Sequence, residues 1–172
     1  MHGLFVDGYN VLHADEMYRR IADEDLDTAR ARIVEDVAAY CTGELRGTVV
    51  FDGGDNADAD GSLHHVAGVT VIFSRGGESA DTVIEGLARR SRERGERATV
   101  VTSDGATQWT VMGGRVSRMS SAEFVRAVRE TGSEWAESNP TGARKGSVQD
   151  RIDSGVRDVL ARWAQGRLPE KD

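Results

Sequence analysis

An internal disulfide is ruled out, because Cys41 is the only cysteine of the chain, and a lone thiol suits a reducing compartment. Cys41 falls within a run of helical periodicity, so burial as a small hydrophobe is expected rather than reactivity. No apolar stretch reaches the roughly 18 residues that a membrane helix needs, so no membrane association is expected. The chain opens straight into Gly3-Leu4-Phe5-Val6-Asp7 without a basic and then an apolar stretch, so a secretory leader is not expected and the expected compartment is the cytoplasm. Paired cysteines are missing, and the side chains of the adjacent His64 and His65 would diverge on an extended chain, so nothing favours zinc. Plain solvent exposure is expected for both histidines, ahead of a substrate-facing loop and of a metal role. Gly76-Gly77 is followed by neither Lys-Ser/Thr nor a Gly-x-Gly-x-x-Gly spacing, which leaves a phosphate-cradling nucleotide loop unsupported. Positive charge is scarce as well. With 22 Lys and Arg against 29 Asp and Glu, the formal net charge is −7, which argues against a protein that wraps long nucleic acid by charge alone. A local group of carboxylates that recruits divalent cations also makes a chain acidic, and that reading stays open.

What is present is a regular alternation. The length of 172 residues, 38% hydrophobic and 30% charged, suits one folded domain. Leu4-Phe5-Val6 is a short apolar run ended by Asp7-Gly8. Leu26, Ala29, Ile33, Val37 and Tyr40 recur at helical intervals through residues 26–42. Thr48-Val49-Val50-Phe51 stops at Asp52-Gly53, the small polar stretch 55–61 reads as a loop, and the β-branched run 69–73 is the strongest strand. Ser79 caps a predicted helix that runs to Arg94 and closes at Gly95. A strand over 98–102, a short helix over 107–112, an edge strand near Val116 and a helix from Ser120 or Ser121 through Arg129 complete the pattern. Strand and helix alternating at this spacing imply crossover connections, hence a three-layer α/β fold with a mainly parallel sheet of about five strands flanked by helices. The domain is expected to occupy residues 1–130, with a flexible linker over 131–147 and a C-terminal helix and tail over 148–172 that packs back on the domain.

Three strands end alike, in Val6-Asp7-Gly8, Phe51-Asp52-Gly53 and Ser103-Asp104. In open parallel sheets ligands collect outside the carboxyl ends of the strands. Any one Asp-Gly pair is readily a turn; three, each directly after an apolar strand, favour convergence. Asp81, in the first turn of the helix capped by Ser79, joins the same edge, although the helix dipole alone would also favour an acid there. Crowded carboxylates raise one another's pKa, and a divalent cation relieves the repulsion. An all-oxygen set suits Mg²⁺ or Mn²⁺, which assist hydrolysis of phosphodiesters. Asn10 is placed either to hold a phosphate, a water or the Asp7 carboxylate, or to cap a helix. Arg75, Ser103, Arg115 and Arg118 are candidates for substrate contacts. Arg89, Arg90, Arg92, Arg94 and Arg97 read as a solvated face that complements the helix dipole and pairs with Glu85 and Glu93. An aspartate-nucleophile phosphatase would place a second acid two residues after Asp7, where Tyr9 stands.

Read together, Val6-Asp7-Gly8-Tyr9-Asn10-Val11-Leu12, Val49-Val50-Phe51-Asp52, the run from Val71 to Asp81, Val100-Val101-Thr102-Ser103-Asp104 and Gly113-Gly114-Arg115-Val116-Ser117-Arg118-Met119-Ser120 resemble the successive blocks of the YacP-like branch of NYN domains, over residues 3–130. The resemblance implies a PIN-like, Rossmann-like fold and a Mg²⁺- or Mn²⁺-dependent endoribonuclease. RNA is the implied substrate, with messenger RNA at the ribosome as its setting in some relatives. It implies Asp7, Asp52, Asp81 and Asp104 as the acidic site, with Asn10 beside Asp7 in the catalytic set, and Asp7, Asp81 and Asp104 are expected on the metal. The chain departs from the branch at Gly105-Ala106-Thr107-Gln108, where relatives carry a larger, often charged residue, so its substrate-facing surface is expected to differ. The contrasting expectation is a non-catalytic RNA- or ribosome-binding module on the same fold, favoured by the acidic balance.

Overall fold

A computed structural model describes residues 1–54, 59–103, 113–138 and 154–164. The short helix expected at 107–112 and Asp104 lie outside the described residues. The strands are β1 (His2–Asp7), β2 (Leu45–Phe51), β3 (Leu63–Val66), β4 (Val69–Phe73), β5 (Arg97–Val101) and β6 (Val116–Met119). The helices are α1 (Gly8–Ala14), α2 (Glu16–Glu24), α3 (Leu26–Tyr40), α4 (Ala80–Glu93), α5 (Ser121–Ser138) and α6 (Ser154–Ala164).

One six-stranded sheet has the order β3-β4-β2-β1-β5-β6. Every neighbouring pair is parallel except β3 with β4. From the central β1 the chain builds outward on one side through β2 and β4. It then crosses back by way of α4 to lay down β5 and β6 on the other side. The direction of build therefore reverses between β1 and β5, and that is where an open parallel sheet parts its loops into a crevice.

The sheet is buried on both faces, as continuous apolar strands require. Along β1, Leu4 and Val6 point into one core with Val49, Phe51, Val71 and Val101, covered by α1 to α3, α5 and α6. Phe5 points the other way, with Val50, Ile72 and Val100, onto Ala80, Ile84 and Ala88 of α4. These α4 residues recur every four positions, the spacing that keeps them on one face. Ser79 accepts from the Thr82 amide as the cap of α4, and Gly95 closes it with φ of 66°, as the sequence predicts.

The structure adds to the expectations in two places and corrects them in two. First, the mainly parallel sheet has six strands, one of them an antiparallel edge strand over 63–66. Ala67 and Gly68 both take positive φ, 51° and 79°, giving the tight turn that a two-residue hairpin needs. Second, α5 runs on to Ser138 into the segment expected as a linker. Third, the chain from Asp7 to Leu26 holds two helices; Asp7, Asp15 and Asp25 cap α1, α2 and α3 in turn, each accepting a backbone N–H through its side chain. Fourth, the α4 arginines are exposed, but no ion pair among the described residues joins them to Glu85 or Glu93.

Helix α6 packs on α3, and its Val156, Leu160 and Trp163 belong to the same core as β1 and β2. Cys41 is half-buried against that core, and burial pushes its thiol up to about 11. None of the described helices is long and apolar enough to cross a membrane.

Candidate active site

At the carboxyl end of β1, Asp7 is buried, 6% exposed, although carboxylates rarely are. Three features hold it. As the cap of α1, its Oδ1 accepts from the Asn10 amide at 2.9 Å. Its Oδ2 accepts from the Asn10 side-chain Nδ2 at 2.8 Å. The same Nδ2 donates to the hydroxyl of Thr102 at 3.1 Å, tying β1 to β5 across the reversal point. Asn10 thus holds the Asp7 carboxylate rather than capping a helix. It orients the Asp7 carboxylate and leaves part of the acceptor capacity of both oxygens open, since an ionised carboxylate has about four lone-pair positions.

Burial raises the Asp7 pKa above its ordinary value of 3.8; the Asn10 amide opposes the rise and the charge of Asp81 adds to it. Asp81, on the first turn of α4, is thus electrostatically in touch with Asp7 although 74 residues separate them in sequence (81 minus 7). Asp52, just past β2, lines the same pocket of about 170 Å³, which also takes in Asn10, His13 and Tyr9. Its Oδ1 accepts from the Gly54 amide at 2.7 Å. Three of the four predicted acids, Asp7, Asp52 and Asp81, are therefore gathered in one pocket with Asn10. Asp104 follows Ser103 in sequence, outside the described residues.

The predicted substrate contacts divide. Ser103 is exposed at the carboxyl edge, and Arg118 donates to the Thr102 carbonyl at 3.4 Å on that edge. Arg75 is at the edge but outside the pocket; its Nε donates to the Asp60 carbonyl at 2.8 Å and braces a loop. Arg115 precedes β6 and lines a cavity with Met1 and Arg97 at the amino edge of the sheet, away from the carboxylates. Parallel strands open at one edge and close at the other, so a residue before β6 cannot share an edge with one after β1.

Four contributors escape the sequence. Thr102, fully buried, anchors Asn10. Ser74, also buried, accepts from the Gly53 amide at 2.9 Å and donates to the Glu78 carbonyl at 2.6 Å, clamping the Asp52 turn to the chain that leads into α4. His13 and Tyr9 line the pocket, and their four-residue spacing on α1 was the available signal once that helix was seen. The glycines of the Asp-Gly pairs also serve otherwise than as turn residues, for neither Gly8 nor Gly53 has positive φ. A Cβ on Gly8 would stand 2.3 Å from Phe51 Cε1, and one on Gly53 would stand 2.0 Å from the Ser74 carbonyl oxygen. Phe51 is fully buried and stacked on Phe73, so it has no way to retreat. Gly8→Ala is therefore expected to lower stability by about 1–3 kcal/mol in urea unfolding, the usual cost of overpacking; an unchanged midpoint would show that the ring yields.

A mostly parallel sheet with carboxylates gathered where its build direction reverses is a Rossmann-like α/β domain, and the solved structures it matches make it PIN-like. Within that class, the YacP-like NYN domain model matches residues 4–165, and the chain belongs to that family. The match runs past residue 130 through α6, further than the motif blocks alone indicated. A Bacillus subtilis (strain 168) protein described as uncharacterized protein YacP is 33% identical over 176 positions, covering 96% of this chain and 87% of its own length. Two crystal structures of Rae1 (YacP) from Bacillus subtilis are similar. A tryptophan-to-leucine mutant has a TM-score of 0.67 and 25% identity, covering 99% of this chain and 94% of that one. The other has a TM-score of 0.60 and 26% identity, covering 96% of each. The family is of nuclease type.

Proposed function

We propose that the chain is a Mg²⁺- or Mn²⁺-dependent endoribonuclease that hydrolyses internal RNA phosphodiester bonds, with Asp7, Asp52, Asp81 and Asp104 as its acidic site. The observation that carries this reading is a buried carboxylate, Asp7, kept beside a second, Asp81, at the reversal point of the sheet. Burying like charges together is costly unless a cation or a proton relieves them. The donors facing the pocket are oxygens in the main, as Mg²⁺ and Mn²⁺ require. Among the described residues no group of three or more His, Cys, Asp or Glu is arranged to hold an ion by itself. Asp7 and Asp81 would hold the cation, and Asp104 is assigned as the third ligand from its sequence position. When bound, such a cation supplies positive charge to the phosphate oxygens and acidifies a water.

The chain's own residues do the rest. Asn10 and Thr102 fix the Asp7 rotamer, so little reorganisation accompanies the reaction. Asp52, held by the Gly54 amide, is placed to orient the attacking water. A messenger RNA substrate at the ribosome belongs to the proposal on the family resemblance alone.

The test is cleavage of RNA by the purified chain with Mg²⁺ or Mn²⁺, without it, and with Asp81→Asn. Chelation by EDTA is expected to stop cleavage and Mn²⁺ to restore it. Asp81→Asn is expected to cost at least about 10–100-fold, the loss seen even for groups one step removed from a metal. Cleavage that ignores both EDTA and the substitution would mean a contaminant. RNA binding that survives both, without any cleavage, would make the chain a binding module.

A further inference from the structure

Resting on that nuclease reading, we infer that the cavity walled by α1, α2 and the start of α3 seats one unstacked nucleobase of the RNA, that of a nucleotide flanking the scissile phosphate. The cavity, about 650 Å³, shares Tyr9 and His13 with the acidic pocket, so the two are neighbours along α1. Its size falls in the range of about 300–1,000 Å³ of small-molecule sites.

The walls suit a flat ring. Leu12 and Ala22 form apolar lining, and Leu26 is 40% exposed at its mouth. Among the described residues the other large hydrophobics so exposed are Met1 and Leu63, and neither lines this cavity. An aromatic wall completes it. The Tyr9 hydroxyl accepts from Arg30 Nε at 3.0 Å and from Arg30 Nη2, and its ring meets Phe51 edge-on at 5.4 Å. Held on two sides, Tyr9 is a stacking surface fixed before any ligand arrives, which removes an ordering cost from binding.

The rim carries both signs of charge, Glu16 and Asp23 beside Arg19 and Arg20. Glu16 and Asp23 border the cavity, and Glu16 already engages Arg20. Carboxylates repel a phosphate but accept from the exocyclic amino groups of adenine, guanine or cytosine. Arg19 on the same rim is left for the sugar-phosphate backbone. A base in this cavity is out of its stack, with its edges open to hydrogen bonding.

Three RNAs of one sequence test this: intact, and with an abasic ribose on the 5′ or the 3′ side of the mapped cut. The wild type is expected to lose about tenfold in kcat/KM on one of the two abasic RNAs, the effect of one lost stacking contact. Leu26→Glu, at an already exposed position, is expected to cut intact and abasic RNA at equal rates. Equal cutting of all three by the wild type overturns the subsite and leaves the nuclease reading standing, as does discrimination that Leu26→Glu retains. A second readout is independent of chemistry. Adenosine 5′-monophosphate at millimolar concentration is expected to shift the amide resonances of His13 and Leu26 in ¹⁵N-labelled Asp7→Asn protein. Adding Leu26→Glu is expected to abolish those shifts. Shifts without RNA cleavage by the wild type would keep the base site and remove the nuclease; shifts confined to other residues overturn the site.

Discussion

Asp7→Asn is expected to abolish RNA cleavage while leaving the fold at neutral pH more stable than before. The two halves have one cause. Asp7 is buried beside Asp81, and burial, the larger cause, together with the Asp81 charge raises its pKa above 3.8. A carboxyl whose folded-state pKa exceeds its unfolded value binds its proton more tightly when folded. Its favourable contribution is therefore complete below 3.8 and is lost as pH rises through the folded value. At pH 7 the ionised group is a burden on the fold. Asparagine keeps the shape and one acceptor oxygen, and the Asn10 amide can turn to meet the new amino group while Thr102 supplies a hydroxyl to its oxygen. A rise of about 2–4 °C in Tm per kcal/mol gained is the scale for a chain of this size. Activity should fall by at least about a hundredfold, since a proposed metal ligand is removed. Scans of Tm at pH 7 and pH 4 check the account, because the advantage of the variant should shrink at the lower pH. A variant less stable than the wild type at pH 7 would mean that hydrogen bonds to the charged form outweigh its desolvation.

The second large effect is expected far from the pocket. Trp163→Ala should destabilise the chain by about 3–5 kcal/mol, the range for emptying a buried aromatic site. At about 2–4 °C per kcal/mol this is a fall of roughly 6–20 °C in Tm. The indole is 8% exposed, lies in the main core, and stacks on His64 with ring centroids 4.2 Å apart and planes 20° from parallel. Leu160 and Val156 follow it on the same face of α6. Burial holds the His64 pKa below 6.5, against the opposing charge of Asp60. A depressed base favours the fold above its unfolded value, so this contribution is complete above pH 6.5 and is lost as pH falls through the folded value. In Trp163→Ala that part of the acid sensitivity should fade, because the imidazole is no longer covered. An unchanged Tm would reduce α6 to an appendage, and an unchanged acid limb would place the His64 burial elsewhere.

Why some of this could be read in the sequence and some not follows from the range of the forces involved. Strands β1, β2, β4 and β5 are apolar runs stopped by polar residues, and α4 carries both its cap and its closing glycine, so local chemistry announces them. Strand β3 is four residues of mixed polarity, and only the Ala67-Gly68 turn and its neighbour β4 make it a strand. Helices α1 and α2 are short, and their caps are aspartates that also read as loop residues. The gathering of Asp7, Asp52 and Asp81 was legible because a parallel sheet places all carboxyl ends on one edge. Thr102 and Ser74 were not, since nothing nearby in sequence marks which hydroxyl will face which amide across strands. Arg115 misled because the Gly113-Gly114-Arg115 block lies at the opposite edge from the carboxylates.

Helix α4 covers its face of the sheet alone among the described helices, packing on β1, β2, β5 and β6, whereas five helices share the other face. Asp81 rides on its first turn, and Asp7 is rooted in the strand beneath. The gap between these two acids is therefore set by how the Ile84 and Ala88 side chains bed into Phe5, Val50 and Val100. A bulkier or smaller residue in that bed would tilt the rod and change the width of the acidic jaws, so the grip on any ion can be retuned from the buried underside of a helix without an edit to the pocket itself.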